Sequence, residues 1–218
     1  MVLAKSTMAM TIHMEGFFAK LVQNGNYEII IQELIDKSEI LFKNVIRHNK
    51  SQSDGEPDFC DVFTGEKYEA KFPIGNRNGE KYFSRKGSMN DFFLAMYRET
   101  TEFASCVDGS KKSVEDLELY VHIKEVMDKI ETDENAILFI PYPIVPDVEN
   151  NPLLGSQDML TKIYTHLKKE GILGTRKMYV VYFSSDDKMV IREMETGIRE
   201  YFVSEKMKEI INFQCEFF

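Results

Sequence analysis

An α/β fold, with a central mixed β-sheet flanked by α-helices, is what this 218-residue chain predicts. Three observations lead there. Apolar residues recur at helical spacing in several segments, two pairs of short segments read as β-hairpins, and a helical pattern runs directly into the apolar run at residues 136–140. A helix feeding a strand in this way implies a crossover onto a sheet.

The elements follow in order. From Thr11 the spacing of Phe17, Phe18, Leu21 and Val22 predicts a short helix, stopped by the turn pair Asn24-Gly25. Asn26 is placed to cap the next helix. That helix runs from Tyr27 into the low forties, with Ile31, Leu34, Ile35, Ser38, Leu41, Phe42 and Val45 on one stripe. Residues 43–48 read either as a last helical turn or as a short strand, and the polar run 49–56 as a loop. Residues 57–63 and 66–72, separated by Thr64-Gly65, predict a hairpin. After Pro73 a polar stretch with Gly75, Asn76, Asn78, Gly79 and Gly87 predicts a loop, and Phe92, Phe93, Met96 and Phe103 predict a helix. A second amphipathic helix at residues 114–131 carries Leu117, Tyr120, Ile123, Met127 and Ile130, and precedes the strand 136–140, closed by Pro141, Pro143 and Pro146. Residues 156–169 space Met159, Leu160, Ile163, Tyr164 and Leu167 as a helix, with Gly171 placed for a left-handed end. Residues 178–183 and 189–194 form a hairpin, and Ser204 caps a final helix to residue 213.

Composition bounds the function. With 43% hydrophobic and 29% charged residues, Gly 12 and Pro 6, the chain is that of an ordinary folded protein, and its length suits one domain over residues 1–218. The core is expected at about 26–140, with a helical N-terminal lead and a C-terminal α/β extension. No run approaches the ~18 apolar residues of a membrane span, and the N-terminus lacks the continuous apolar core of a signal peptide. A soluble, cytoplasmic protein with no membrane partner is expected. Cys60, Cys106 and Cys215 have no Cys-x-x-Cys spacing, and His13, His48, His122 and His166 are scattered, so neither a disulfide framework nor a zinc site is indicated. The net charge of −9 argues against indiscriminate binding of polyanions. No glycine-rich phosphate loop is present, which speaks against nucleotide-driven chemistry.

The first hairpin carries the chemistry. If Thr64-Gly65 is a two-residue loop, Phe63 pairs with Glu66, Asp58 lies opposite Lys71, and Glu69 lies opposite Cys60. Side chains alternate along a strand, so Asp58, Cys60, Glu69 and Lys71 project from one side, with Asp58 diagonal to Glu69 at roughly 5–8 Å. Any even-numbered loop keeps that parity, whereas an odd loop or a bulge throws Asp58 to the other face. Two hard oxygen ligands a few ångströms apart suit Mg²⁺ (or Mn²⁺), completed by water and a substrate phosphate. Lys71 on the same side is placed to hold or deprotonate an attacking water, or to neutralise charge on the phosphate. The plainer alternative is a surface hairpin with a cross-strand Asp58–Lys71 ion pair of little energetic weight. Cys60 reads as a small packed thiol, because no histidine is placed to activate it.

Pro57-Asp58 followed by Glu69-Ala70-Lys71 resembles the motif of the PD-(D/E)XK nuclease superfamily, whose members include restriction endonucleases, repair nucleases and phage exonucleases. The order of elements over residues 26–140 is also similar to that family's core, in which a helix precedes the motif hairpin and a later helix crosses over to another strand. The resemblance implies a restriction endonuclease-like core. It implies that Asp58, Glu69 and the backbone carbonyl of Ala70 bind the divalent ion, that Lys71 assists the water, and that hydrolysis leaves a 5′-phosphate. Some members add a glutamate from the preceding helix. Here Glu28 borders the apolar stripe, Glu39 lies farther round and Glu33 points away. The Gln-x-x-x-Tyr motif of one exonuclease branch is absent, since Gln157 and Tyr164 have the wrong spacing.

Residues 71–90 hold Lys71, Arg77, Lys81, Arg85 and Lys86 against Glu80, five minus one or +4, which leaves −13 for the rest of the chain. Arg77, Lys81, Arg85 and Lys86, interleaved with Asn76, Asn78, Tyr82 and Phe83, are candidates for contacts to DNA phosphates and bases. A solvated basic loop paired with the acidic Glu115, Asp116 and Glu118 reads the same residues equally well. A few phosphate contacts give only weak, salt-sensitive binding, so a homodimer or a partner subunit would help. The expected function is a Mg²⁺-dependent deoxyribonuclease acting in restriction, phage defence or repair. Its rivals are a catalytically silent nuclease-fold subunit that serves as a binding or assembly module, and an unrelated α/β protein.

Overall fold

The structure, a computed structural model, describes residues 25–48, 56–73, 113–140, 157–183 and 188–215. The helix expected at 11–22, the loop and helix expected at 75–103 and the prolines at 141–146 lie outside the described residues.

Helix α1 (Asn26–Lys37) starts from Gly25 in the left-handed conformation, φ +65°. Asn26 is therefore the first helical residue, and the expectation that it caps the helix is corrected. Ile30, Ile31, Leu34 and Ile35 form its buried face. The helix ends at Lys37, well short of the low forties, although the apolar spacing continues. Ser38 turns extended, and the Glu200 carboxylate accepts the backbone N–H groups of Glu39, Ile40 and Leu41 at 2.9, 3.1 and 2.8 Å. An anion from a distant segment thus takes amides that a longer helix would have used. Phe42 still reaches the core, its ring 5.5 Å from Tyr68 and 4.8 Å from Tyr179.

The ambiguous segment at 43–48 is a strand, β1 (Val45–Arg47). With β2 (Phe59–Asp61) and β3 (Lys67–Lys71) it makes an antiparallel meander. The helix expected over 114–131 is broken. A 3-10 turn, Val114–Asp116, is capped reciprocally by Ser113 and Asp116, Leu117 is extended and buried, and α2 (Glu118–Met127) follows. Strand β4 (Glu134–Phe139) is buried at every position and runs parallel to β3, with Glu69 beside Ala136. This is the crossover that the helix-then-strand order implied. Burial on both faces explains why β4 reads as a near-continuous apolar run.

Helix α3 (Gln157–Lys169) closes at Gly171, φ +72°, and leads to β5 (Met178–Phe183), parallel to β4. Arg176 in the intervening turn donates to the carbonyls of Met127 and Ile130 at 2.8 and 2.9 Å, and to those of Leu173 and Ile172, which ties the end of α2 to the approach to β5. Strands β6 (Met189–Glu193) and β7 (Arg199–Phe202) continue antiparallel, and α4 (Glu205–Cys215) starts at Ser204, whose Oγ accepts the Met207 N–H at 3.1 Å. The sequence did not suggest β7, a half-exposed strand of mixed polar and aromatic residues. Among the described residues the seven strands form one mixed sheet, ordered β1 to β7 as in the sequence and flanked by helices. No helix among them is long and apolar enough to cross a membrane.

Candidate metal centre

The β2–β3 turn decides which side chains meet. Phe59 pairs with Tyr68 and Cys60 with Lys67, a register displaced by two residues from the one a Thr64-Gly65 loop would set. The cause is Asp61. Its Oδ1 accepts the N–H groups of Phe63 and Thr64, both at 2.8 Å, which folds residues 62–65 into a four-residue turn closed by Asp61 N–H to the Glu66 carbonyl at 2.9 Å. Gly65 supplies the left-handed residue, φ +73°. A displacement of two preserves parity, so Asp58, Glu69 and Lys71 keep to the same side. The partners change nevertheless. Asp58 faces Glu69 rather than Lys71, Cys60 faces Lys67, and the Asp58–Lys71 cross-strand pair gives way to a Lys71–Glu69 pair along β3.

At Asp58 side chains take over from the backbone ladder. The Asp58 N–H donates to Glu69 Oε2 at 3.2 Å, and the Ala70 N–H donates to Asp58 Oδ2 at 2.8 Å. This reciprocal pair holds both carboxylates between the strands. The Asp58 carbonyl accepts the His48 N–H at 3.0 Å, which joins the site to the end of β1. Asp58 is 8% exposed, and the Glu69 side chain 14%. Lys71 Nζ donates to Glu69 Oε1. Burial, together with the adjacent Asp58 charge, holds the Glu69 carboxyl above its ordinary range, while the Lys71 ammonium pulls it down. The Ala70 methyl group is buried.

Two further acids, Glu134 and Glu28, lie on neighbouring elements. Glu134 lies beside Lys67 on β4, is buried, and is pushed above the usual range by burial and then by the Glu69 charge. Glu28, the candidate from the preceding helix, accepts the Tyr27 hydroxyl at 3.2 Å and Arg47 Nη2 at 3.3 Å. The Tyr27 ring stacks obliquely on Phe72 and Phe139, 5.8 and 6.2 Å away. Burial and Glu28 raise the Tyr27 hydroxyl strongly, with smaller contributions from Asp58 and Glu69. Neither Tyr27 nor Glu134 was foreseen. Tyr27 carries no local signal beyond its place next to Glu28, and Glu134 comes near only through the parallel β3–β4 pairing. Glu33 does point away, accepting the Ser204 hydroxyl and the Glu205 N–H at 2.5 and 2.8 Å. Glu39 is exposed. The candidate nucleic-acid contacts Arg77, Lys81, Arg85 and Lys86 lie outside the described residues.

Among the described residues no group of three or more His, Cys, Asp or Glu is arranged to hold a metal ion. The oxygens that the strands bring together are those of Asp58 and Glu69. Two carboxylates fit Mg²⁺, which keeps several waters and takes one or two protein carboxylates plus substrate phosphate. They do not fit a structural zinc site, which wants four ligands rich in sulfur and nitrogen. No family model, no curated protein and no solved structure matches the chain.

Proposed function

We propose that the chain is a divalent-metal-dependent nuclease that hydrolyses DNA phosphodiester bonds, with Asp58 and Glu69 as ligands of Mg²⁺ (or Mn²⁺) and Lys71 beside the attacking water. The observation that carries this reading is the register of β2 and β3, which brings the buried Asp58 carboxylate and the partly buried Glu69 carboxylate together, with a lysine on one of them. The element order supports it: helix, antiparallel meander, crossover helix and parallel strand follow the order of the PD-(D/E)XK core that the motif suggested.

When bound, the cation supplies Lewis-acid polarisation of the phosphate and a more acidic water. The chain supplies the rest. Asp58 and Glu69, each held by a main-chain N–H of the opposite segment, would present carboxylate oxygens to a small hard ion. Lys71, with its side chain 35% exposed, carries an ammonium that can reach the substrate side and offset charge building on the phosphate oxygens. The water oxygen would bond to phosphorus and give up a proton to solvent, the P–O3′ bond would break, and the departing 3′ oxygen would take a proton from solvent, leaving a 5′-phosphate. The carbonyl of Ala70 is proposed as the third protein ligand. Arg77, Lys81, Arg85 and Lys86 are proposed to contact DNA, with a second copy or a partner subunit adding contacts that a chain of net charge −9 otherwise lacks. Action in the cytoplasm, in restriction, phage defence or repair, belongs to the same proposal.

Plasmid cleavage in Mg²⁺ tests it. Wild type should nick or linearise supercoiled DNA, Asp58→Ala should abolish cleavage, and Lys71→Ala should lower the rate by a factor on the order of 10² or more. Cleavage untouched by either substitution would place the chemistry elsewhere. No cleavage by wild type, with DNA still bound, would favour the catalytically silent binding module.

A further inference from the structure

The carboxylate pair already has a cation. Among the described residues two backbone N–H groups donate to it, of Asp58 to Glu69 Oε2 and of Ala70 to Asp58 Oδ2, and neither can leave without opening the strand pair. The Lys71 ammonium also donates to the pair, on Glu69 Oε1. It sits at the end of a flexible four-carbon stem, on a side chain about a third exposed. Two carboxylates packed together in a half-buried site repel each other unless a positive charge stands between them.

We propose that Lys71 is the internal counter-ion of the Asp58–Glu69 pair, and that a divalent cation entering the site displaces its ammonium from Glu69. The inference rests on the metal reading above and adds an order of events to it. Before the cation arrives, Lys71 is held on Glu69 and is unavailable to water or substrate. Once the cation occupies the carboxylates, the ammonium is repelled from them and swings outward on its stem, where the scissile phosphate would lie. Occupancy by the cation therefore releases the residue proposed to serve the water, and the site arms itself only when loaded.

The exchange predicts a reversal of the usual effect of removing an active-site residue: loss of Lys71 should strengthen cation binding. Titration of the full chain with Mn²⁺, with free ion followed by electron paramagnetic resonance, reads this directly without DNA or turnover. Lys71→Met, which keeps the stem and removes the charge, should bind Mn²⁺ about tenfold tighter than wild type. Lys71→Arg, which keeps the charge and can fork onto Glu69, should bind no tighter than wild type. Asp58→Asn in the Lys71→Met background should lose the site. The Mn²⁺-induced rise in melting temperature should also be larger for Lys71→Met than for wild type, which reports on the folded state of each variant in the same experiment. Equal or weaker binding by Lys71→Met, with binding still lost in Asp58→Asn, would overturn the exchange and leave the metal site standing. Absence of Mn²⁺ binding from both wild type and Lys71→Met would overturn both.

Discussion

Asp58 and Glu69 are held by each other's strand. Each carboxylate accepts a main-chain N–H from the opposite segment, so the two oxygen pairs are set by the backbone rather than by rotamer choice. The sequence carried the parity of this arrangement but not its register. Thr64-Gly65 reads as a two-residue turn, yet Asp61 captures two amides of its own turn and lengthens it to four residues. Because four and two are both even, the three motif side chains stay together while every cross-strand partner changes. Tyr27 belongs to the same scale. Tyr27→Phe keeps the ring against Phe72 and Phe139 and removes the donor to Glu28. It should cost about 1 kcal/mol or less in urea unfolding, the value of one hydrogen bond to a partly exposed acid. A much larger loss would mean that the hydroxyl has further partners in the site.

Elements end where distant groups claim their amides. The apolar spacing after Lys37 is a valid helical pattern, and no local feature announces the stop. The Glu200 carboxylate decides it by accepting three successive N–H groups and the Ser38 hydroxyl. Glu33 does the reverse service, accepting donors at the start of α4 from its place on α1. These two acids join the N-terminal helix to the C-terminal elements, and neither link is readable from sequence spacing. Burial raises both carboxyls, but the hydrogen bonds they accept outweigh it, from Ser204 and Glu205 on Glu33 and from Ser38 and residues 39–41 on Glu200, and leave both below the ordinary range. A carboxyl depressed in the folded state stabilises above its unfolded pKa of about 4.3, and the contribution is lost as pH falls through the folded value. Wild type should therefore lose more unfolding free energy between about pH 6 and pH 3 than Glu200→Gln, which has no proton to gain. Equal losses in paired urea titrations would mean that Glu200 is not the acid-sensitive link.

At the scale of the molecule, the α/β class and the crossover into β4 were legible because fully buried strands and amphipathic helices leave strong periodic signals. Strand β7 was not legible, since its half-exposed pattern has no clean alternation, and neither was the break at Leu117, where extended backbone interrupts an otherwise helical stripe. The proposed site centres on strand β3 of the sheet. Strand β3 lies between the antiparallel β2 and the parallel β4, and that position lets it receive Asp58 from one side and Glu134 from the other. The account stands on a single cation shared by Asp58 and Glu69. Anomalous scattering from crystals grown with Mn²⁺ measures this directly. The account predicts a peak within about 2–2.5 Å of oxygens from both carboxylates. Manganese bound elsewhere, with Lys71 still seated on Glu69, would contradict it.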